Sequence, residues 1–120
     1  MEYYRSSCDV KPAVKYALVL VTAPDLKTAR VLGRKALKAR LVACVNLIPR
    51  IESHYWWQEK LTKSQEVMLL LKTRVQFLTQ LEVLVLGEHP YDTPEFVVFM
   101  LDDGNSRYLA WIDENVRPII

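Results

Sequence analysis

Four apolar segments of strand length are the feature that most constrains this chain. They are rich in β-forming residues and lie at Tyr16–Val21, Leu41–Ile48, Glu66–Lys72 and Glu95–Leu101. Runs this short that are apolar on both faces are typical of strands covered on both sides. None approaches the roughly 18 apolar residues of a membrane span. The sequence therefore predicts a sheet and no direct membrane insertion.

Helix signals separate and follow these strands. Capping residues begin three helices, at Thr22–Asp25, Thr73–Gln76 and Gly104–Ser106. The first helix is expected to end near Arg40, and the second at Gly87–Pro90. The third is short and continues toward the end of the chain.

The order of these segments is βαββαβ followed by a terminal helix. This order predicts an α+β domain of the ferredoxin-like, split βαβ type, in which two helices cover one face of a four-stranded antiparallel sheet. Strands one, three and four are apolar on both faces, so other copies of the chain are expected to bury the face without helices. We expect one oligomerising domain over 14–120, preceded by a flexible arm over 1–13.

The overall composition excludes several classes of protein. Sixteen basic and 14 acidic side chains give a net charge of +2, which supplies no general attraction to nucleic acid or an anionic membrane. Two cysteines, Cys8 and Cys44, are too few for a Cys-rich zinc cluster or a disulfide scaffold and favour a reducing compartment. Residues 1–13 contain no signal-peptide segment, which predicts a cytoplasmic protein.

Signatures of common enzyme classes are missing from the sequence. There is no G-x-S-x-G, no Gly-rich phosphate loop and no H-E-x-x-H, and His54 and His89 are the two histidines. We therefore expect a protein that is not an enzyme and that holds no organic cofactor.

A dense aromatic cluster, Tyr55–Trp57 followed by Lys60, lies where strands two and three turn. Aromatic rings among cations can stack on single-stranded RNA, and the first helix is basic over Lys27–Arg40. However, RNA-recognition domains of this βαββαβ order read bases with aromatics on strands one and three, which are aliphatic here. Because neighbouring strand residues face opposite sides, Trp56 and Trp57 are better explained as contacts within the protomer and with a neighbouring copy. No nucleic acid partner is expected.

Three side chains are candidate metal ligands by residue type. His89 and Glu95 enclose a segment with two prolines, which could hold an imidazole and a carboxylate near one ion. The alternative for His89 is an interaction with carbonyls at a helix C-terminus, and for Glu95 it is hydrogen bonds to loop amides. Cys44 could bind a soft metal, but its apolar neighbours favour a small buried hydrophobe.

Several short strings over about Tyr16–Val116 form a recognisable set: Thr22-Ala23-Pro24, Leu41–Pro49, Ser53 with Tyr55 and Trp57, Lys60-Leu61, Lys72-Thr73, His89–Tyr91, Thr93–Glu95, and Tyr108-Leu109 with Trp111. Together they resemble the CutA family of divalent-ion tolerance proteins. The resemblance implies a homotrimer whose sheets face the threefold axis, with ligand clefts between subunits and a link to copper and other divalent metals. The expected cleft residues are Lys72, Glu66, Tyr55 and Trp57, and the expected interface residues are Trp56, Trp57, Tyr108 and Trp111.

The sequence departs from the family at the copper ligands. Bacterial relatives are described with a cysteine before Thr-Ala-Pro, the first histidine of His-His-Pro-Tyr and the glutamate after Thr-Pro; Val21, Glu88 and Glu95 occupy these positions here. A thiolate site for Cu(I) is therefore not available at Val21, although Glu88, His89 and Glu95 could form an oxygen and nitrogen site for Zn²⁺ or Cu²⁺. The family also has a glycine where this chain has Glu59, a residue that tolerates a positive φ poorly.

These observations predict a trimeric, non-enzymatic protein that responds to divalent metal ions of the copper type, with Cu or another divalent cation bound weakly. The alternative is a protein-interaction, trafficking or signalling module without a working metal site, similar in fold to the PII signalling proteins. Animal relatives are associated with the membrane anchoring of acetylcholinesterase, and Cys44–Pro49 resembles the animal motif. That resemblance implies membrane-protein partners.

Overall fold

The computed structural model describes residues 10–12 and 15–119. Its strands are β1 (Val10–Pro12), β2 (Tyr16–Ala23), β3 (Cys44–Trp57), β4 (Lys60–Arg74), β5 (Val97–Met100) and β6 (Asp103–Asn105), and its helices are α1 (Leu26–Lys38), α2 (Leu78–Glu88) and α3 (Ser106–Asn115). Of the arm predicted over 1–13, Val10–Pro12 forms β1 and pairs with β6 in a separate two-stranded sheet. The rest of that arm, with Cys8, lies outside the described residues.

The main sheet has the strand order β3-β4-β2-β5, and every neighbouring pair is antiparallel. This confirms the predicted α+β class with an antiparallel sheet. β3 and β4 are longer than predicted because they continue as a two-stranded ribbon beyond β2, which pairs only with Val67–Arg74 of β4. β3 has a bulge at Pro49, with a register shift between Ile48 and Ile51 and a φ of 60° at Arg50.

Hydrogen bonds at the helix starts correct two of the predicted caps. Asp25, and not Thr22, caps α1, because its carboxylate accepts from the backbone N–H three residues on at 2.7 Å. Thr73 caps no helix, since its hydroxyl donates to the carbonyl of Leu41 at 2.6 Å. Asn105 caps α3 as expected and accepts from two backbone N–H groups at 3.1 Å.

The helices α1 and α2 cover one face of the main sheet. Side chains alternate along a strand, and on this face β2 and β4 contribute buried aliphatic residues such as Val19 and Leu71. Burial of apolar surface stabilises a fold by roughly 25 cal/mol per Å², so this layer is the main source of stability. Its fully buried members from the two helices are Ala29, Leu32, Ala36, Leu81 and Val85.

The opposite face of the sheet is only partly covered. At one end α3 packs on this face through its residue Asp113. Tyr16 donates to Asp113 Oδ2 at 2.5 Å, and Arg74 Nε lies 3.1 Å from Asp113 Oδ1. Burial, followed by the Asp113 carboxylate, raises the pKa of Tyr16 to about 12. The remainder is apolar and includes Phe99, which is 50% exposed. We call it the uncovered face, and it comprises Leu20, Asn46, Ile48, Met68, Leu70, Val97 and Phe99.

The turn between β3 and β4 has an unusual backbone. Gln58 and Glu59 both lie in the left-handed region, with φ of 48° and 63°. Two-residue hairpin turns of this kind favour Asn and Gly, because a side chain at positive φ costs about 1–2 kcal/mol. The chain therefore keeps a glycine-like conformation at Glu59 without a glycine.

Replacing Glu59 by glycine tests whether its positive φ strains the turn. Glu59→Gly is expected to raise the free energy of unfolding by about 1 kcal/mol, because glycine adopts positive φ without steric cost. Urea denaturation measures the change. The matched control is Lys63→Gly in the extended backbone of the same ribbon, which is expected to lower stability. A loss of stability in Glu59→Gly would contradict the assignment of strain to this turn.

Candidate functional site

A cleft of about 800 Å³ lies beside the uncovered face, where β2 ends and the ribbon begins. We call it the acidic cleft. Fourteen residues line it; four are acidic, three are aromatic, and none is lysine or arginine. The acidic residues are Glu52, Glu66, Asp92 and Glu95, and the aromatic residues are Tyr55, Trp57 and Tyr91.

The strands and one loop bring these side chains together. Tyr55 and Trp57 lie two residues apart on β3, so they share one face of the ribbon. Glu66 of β4 pairs with Ile51 of β3, and Ile51 is four residues before Tyr55. Glu66 therefore lies on the same face of the ribbon as Tyr55 and Trp57. The loop after α2 supplies Tyr91 from the other side. Three residues predicted for a cleft, Tyr55, Trp57 and Glu66, therefore line one cavity.

Glu66 is the most buried acid of the cleft. It is 8% exposed, and the hydroxyl of Tyr91 donates to its Oε2 at 2.8 Å. Burial and this carboxylate raise the pKa of Tyr91 far above its ordinary value, so the phenol stays protonated and remains a donor. No Lys or Arg of the described chain forms an ion pair with Glu66.

Glu95 lines the same cleft as Glu66. Burial, followed by repulsion from the Glu66 carboxylate, raises the pKa of Glu95 above its usual value. The Glu66 carboxylate thus disfavours the charge of Glu95, and no Lys or Arg of the described chain lines the cleft to offset it. A bound cation would relieve this repulsion.

His89 is buried, and both of its ring nitrogens are occupied. Nε2 lies 2.7 Å from the carbonyl oxygen of Thr22, and Nδ1 accepts from the backbone N–H of Tyr91 at 3.1 Å. Since Nδ1 accepts, Nε2 carries the proton and donates. His89 thereby fastens the loop that carries Tyr91 to the end of β2. In this geometry neither nitrogen is available to a metal ion.

Glu88 lies apart from the cleft. It forms an ion pair with Lys35 of α1 on the exposed surface of the helix layer. The three predicted ligands Glu88, His89 and Glu95 are therefore not gathered around one point. Within residues 10–12 and 15–119 there is no group of three or more His, Cys, Asp or Glu side chains that could hold a metal ion.

Lys72 lies far from the acidic cleft. It shares a face of β4 with Glu66, but six residues of strand separate their backbones by about 20 Å. Its ammonium donates to the hydroxyl of Tyr108 at 3.0 Å, and this bond is the main reason why the pKa of Lys72 is raised. Cys44, expected to be buried, is half-buried here, with its Sγ 4.0 Å from the Tyr108 hydroxyl.

The aromatic residues expected at interfaces fall into two places. Trp56 and Trp57 lie on the ribbon and are 72% and 49% exposed. Tyr108 and Trp111 lie on α3, half-buried, with their ring centroids 5.5 Å apart. The ribbon rings are thus accessible in the protomer, whereas the α3 rings already contact each other.

Sequence reasoning missed Tyr91 as a cleft residue. Tyr91 lies inside the segment between His89 and Glu95 that was singled out for metal binding, but no role was assigned to its phenol. The two prolines of that segment were the available signal, because a rigid loop fixes every side chain it carries.

Comparisons with known proteins agree with one another. The family model described as CutA1 divalent ion tolerance protein matches residues 17–115. A Danio rerio protein named Protein CutA homolog is 39% identical over 101 residues, which cover 84% of this chain and 67% of the relative. The Divalent-cation tolerance protein CutA of Thermus thermophilus is 39% identical over 98 residues, which cover 82% of this chain and 95% of the relative.

Solved structures show the same similarity. CutA1 from Oryza sativa superposes with a TM-score of 0.84 at 36% identity, covering 88% of this chain and 96% of that one. The Thermus thermophilus divalent cation tolerance protein superposes with a TM-score of 0.83 at 37% identity, covering 85% and 99% of the two chains. Among the residues described for this chain, no helix is long and apolar enough to cross a membrane.

Proposed function

The chain belongs to the CutA1 divalent ion tolerance protein family, and from this premise we propose that it binds divalent cations in the acidic cleft as a homotrimer. The observation that carries this proposal is the pair Glu66 and Glu95, two carboxylates withdrawn from solvent that line one cleft whose described lining contains no Lys or Arg. A divalent cation neutralises both charges at once.

The donor atoms decide which ions fit. Carboxylate oxygens suit Zn²⁺, Cu²⁺ and harder ions, whereas Cu(I) prefers thiolate or thioether sulfur. Val21, at the family's cysteine position, is fully buried in the core and offers no donor. Cys44 pairs with Lys72 in the register and so lies at the far end of the sheet from the cleft. The proposed site therefore takes an oxygen-seeking divalent ion and not Cu(I).

The homotrimer explains how such a site is completed. One protomer supplies this pair of carboxylates, which is fewer ligands than a bound divalent ion normally takes. The strand order β3-β4-β2-β5 and the two helices on one face support a ferredoxin-like protomer, and the uncovered face supports burial by neighbouring copies. We place the acidic cleft at the seam between two protomers, where the neighbour adds the remaining ligands.

We propose a binding role and not catalysis. Neither histidine is free to act as a general base, since His89 has both nitrogens bonded and His54, although it lines the cleft, pairs with Glu52 at 2.7 Å. A protein-interaction role is the second candidate. It is favoured by Trp56 and its cross-strand partner Leu61, which are 72% and 71% exposed.

Calorimetric titration with Zn²⁺ and Cu²⁺ tests the cation site. The wild-type protein is expected to bind stoichiometrically, and Glu95→Gln and Glu66→Gln are each expected to weaken binding at least about tenfold, a loss of about 1.4 kcal/mol. The control is Glu82→Gln, an exposed carboxylate on α2 that does not line the cleft. An absence of binding, or binding indifferent to both cleft substitutions, would remove the proposal.

A further inference from the structure

The acidic cleft is larger than a divalent ion needs. Metal ions sit about 2.0–2.6 Å from their ligands, whereas the part of this cleft that one protomer forms has a volume of about 800 Å³. Cavities of roughly 300–1,000 Å³ are typical of sites for small organic molecules. The space is therefore suited to a ligand with a carbon skeleton.

Three aromatic rings form part of its wall. The hydroxyl of Tyr55 lies 3.1 Å from Ser64 Oγ, and that of Tyr91 donates to Glu66. These bonds orient both phenols, and Trp57 lies two residues beyond Tyr55 on the same face of the ribbon. Aromatic faces attract organic cations, and tryptophan does so best. The aromatic rings would not contribute to binding a metal ion that is coordinated by oxygen atoms.

The charge of the residues that line the cleft determines the sign of the charge that a ligand can carry. Glu52 is paired with His54, but Glu66 is 92% buried with a phenol as its hydrogen-bond partner, so its charge meets no cation in the described chain. Lys72, the one lysine among the expected cleft residues, lies about 20 Å away along β4. An anion would enter a site that repels it, whereas a cation would be attracted.

We propose that the acidic cleft binds an organic ammonium ion, with its charged nitrogen between Glu66 and Glu95 and its carbon chain against Trp57 and Tyr55. This inference rests on the proposed function only in placing a cation in the same cleft. It differs in the ligand, because the aromatic wall contributes to binding an ammonium ion and not to binding a metal. Neutralisation of Glu66 by the ammonium group also removes the repulsion that acts on Glu95.

Three four-carbon probes of matched size test the charge requirement. Calorimetry compares 1,4-diaminobutane, 1,4-butanediol and succinate, which are cationic, neutral and anionic at pH 7. The diamine is expected to bind at least about tenfold more tightly than either of the others. Equal or tighter binding of succinate or the diol, or no binding of the diamine at millimolar concentration, would overturn the proposal.

Two neighbouring tryptophans supply a matched pair of variants. Trp57→Leu is expected to weaken diamine binding about fivefold, a loss of about 1 kcal/mol, while Zn²⁺ binding stays unchanged. The control is Trp56→Leu, whose residue lies on the opposite face of the ribbon and does not line the cleft. Sedimentation of each variant checks that its assembly matches the wild type. Diamine binding indifferent to Trp57→Leu would overturn the role of the aromatic wall.

The two proposals fail separately. Binding of Zn²⁺ without binding of the diamine removes the organic ligand and leaves the cation site. Binding of the diamine without binding of Zn²⁺ or Cu²⁺ removes the metal site and supports the ammonium ligand. Glu95→Gln is expected to weaken whichever ligand binds, because its carboxylate faces both.

Discussion

Leu70→Asp is expected to convert the proposed trimer into a particle of 14.0 kDa, the mass of one chain. Leu70 lies in the middle of the uncovered face, paired with Leu20 on one side and Asn46 on the other. In the proposed trimer this position is expected to be buried against other copies, where a carboxylate loses its water without gaining a partner. Burying an unpaired charge costs several kcal/mol, which is enough to dissociate a micromolar assembly. Sedimentation velocity measures the mass.

A second position separates assembly from folding. Val83→Asp places the same charge on the outer side of α2, where Val83 is 69% exposed, and should leave the assembly intact. Phe99→Asp, on the uncovered face, should dissociate it as Leu70→Asp does. A wild-type protein that already sediments at 14.0 kDa at micromolar concentration would contradict the trimer. So would a Leu70→Asp variant that sediments as the wild type.

His89→Ala is expected to lower the free energy of unfolding by about 3 kcal/mol with or without metal. The substitution leaves the carbonyl of Thr22 and the backbone N–H of Tyr91 without their partner. It also removes a ring packed 4.7 Å from that of Tyr91, so the wall of the acidic cleft loosens. Urea denaturation in the presence of EDTA measures the loss.

The other histidine is the control. His54 is exposed on the ribbon and pairs with Glu52, also exposed, so His54→Ala should change stability by less than about 0.5 kcal/mol. If His89→Ala destabilised the protein only when Zn²⁺ or Cu²⁺ was present, His89 would be a metal ligand and its structural role would be wrong.

The fold could largely be predicted from the order of short apolar runs and capping signals. The four strands of the main sheet and the three helices occur in the predicted order, because local propensity and burial favour the same elements, although β3 and β4 extend beyond their predicted bounds. The helix caps were harder to assign, because the cap of α1 is Asp25 and Thr73 caps no helix. Thr22 and Thr73 have suitable hydroxyls, but both residues lie in paired strands and so do not cap a helix. Strand pairing depends on partners that are distant in sequence.

The site was predicted less completely. Tyr55, Trp57, Glu66 and Glu95 do line one cleft, whereas Lys72 does not. The alternation of side chains along a strand assigns Glu66 and Lys72 to the same face of β4, but it does not show which end of that face forms a cleft. His89 was expected to bind a metal ion or helix carbonyls, whereas its ring bonds to Thr22, and a hydrogen bond that spans 67 positions leaves no signal in the local sequence.

The amino-acid sequence by itself determined the elements, their order and the face that needs covering, because alternation and capping act between residues close along the chain. The tertiary structure alone decided the charge of the cleft. Strand register and the docking of the loop after α2 bring Glu66, Tyr91 and Glu95 together and leave Lys72 at the far end. Electrostatic repulsion depends on distances in space, and these exist only once the chain has folded.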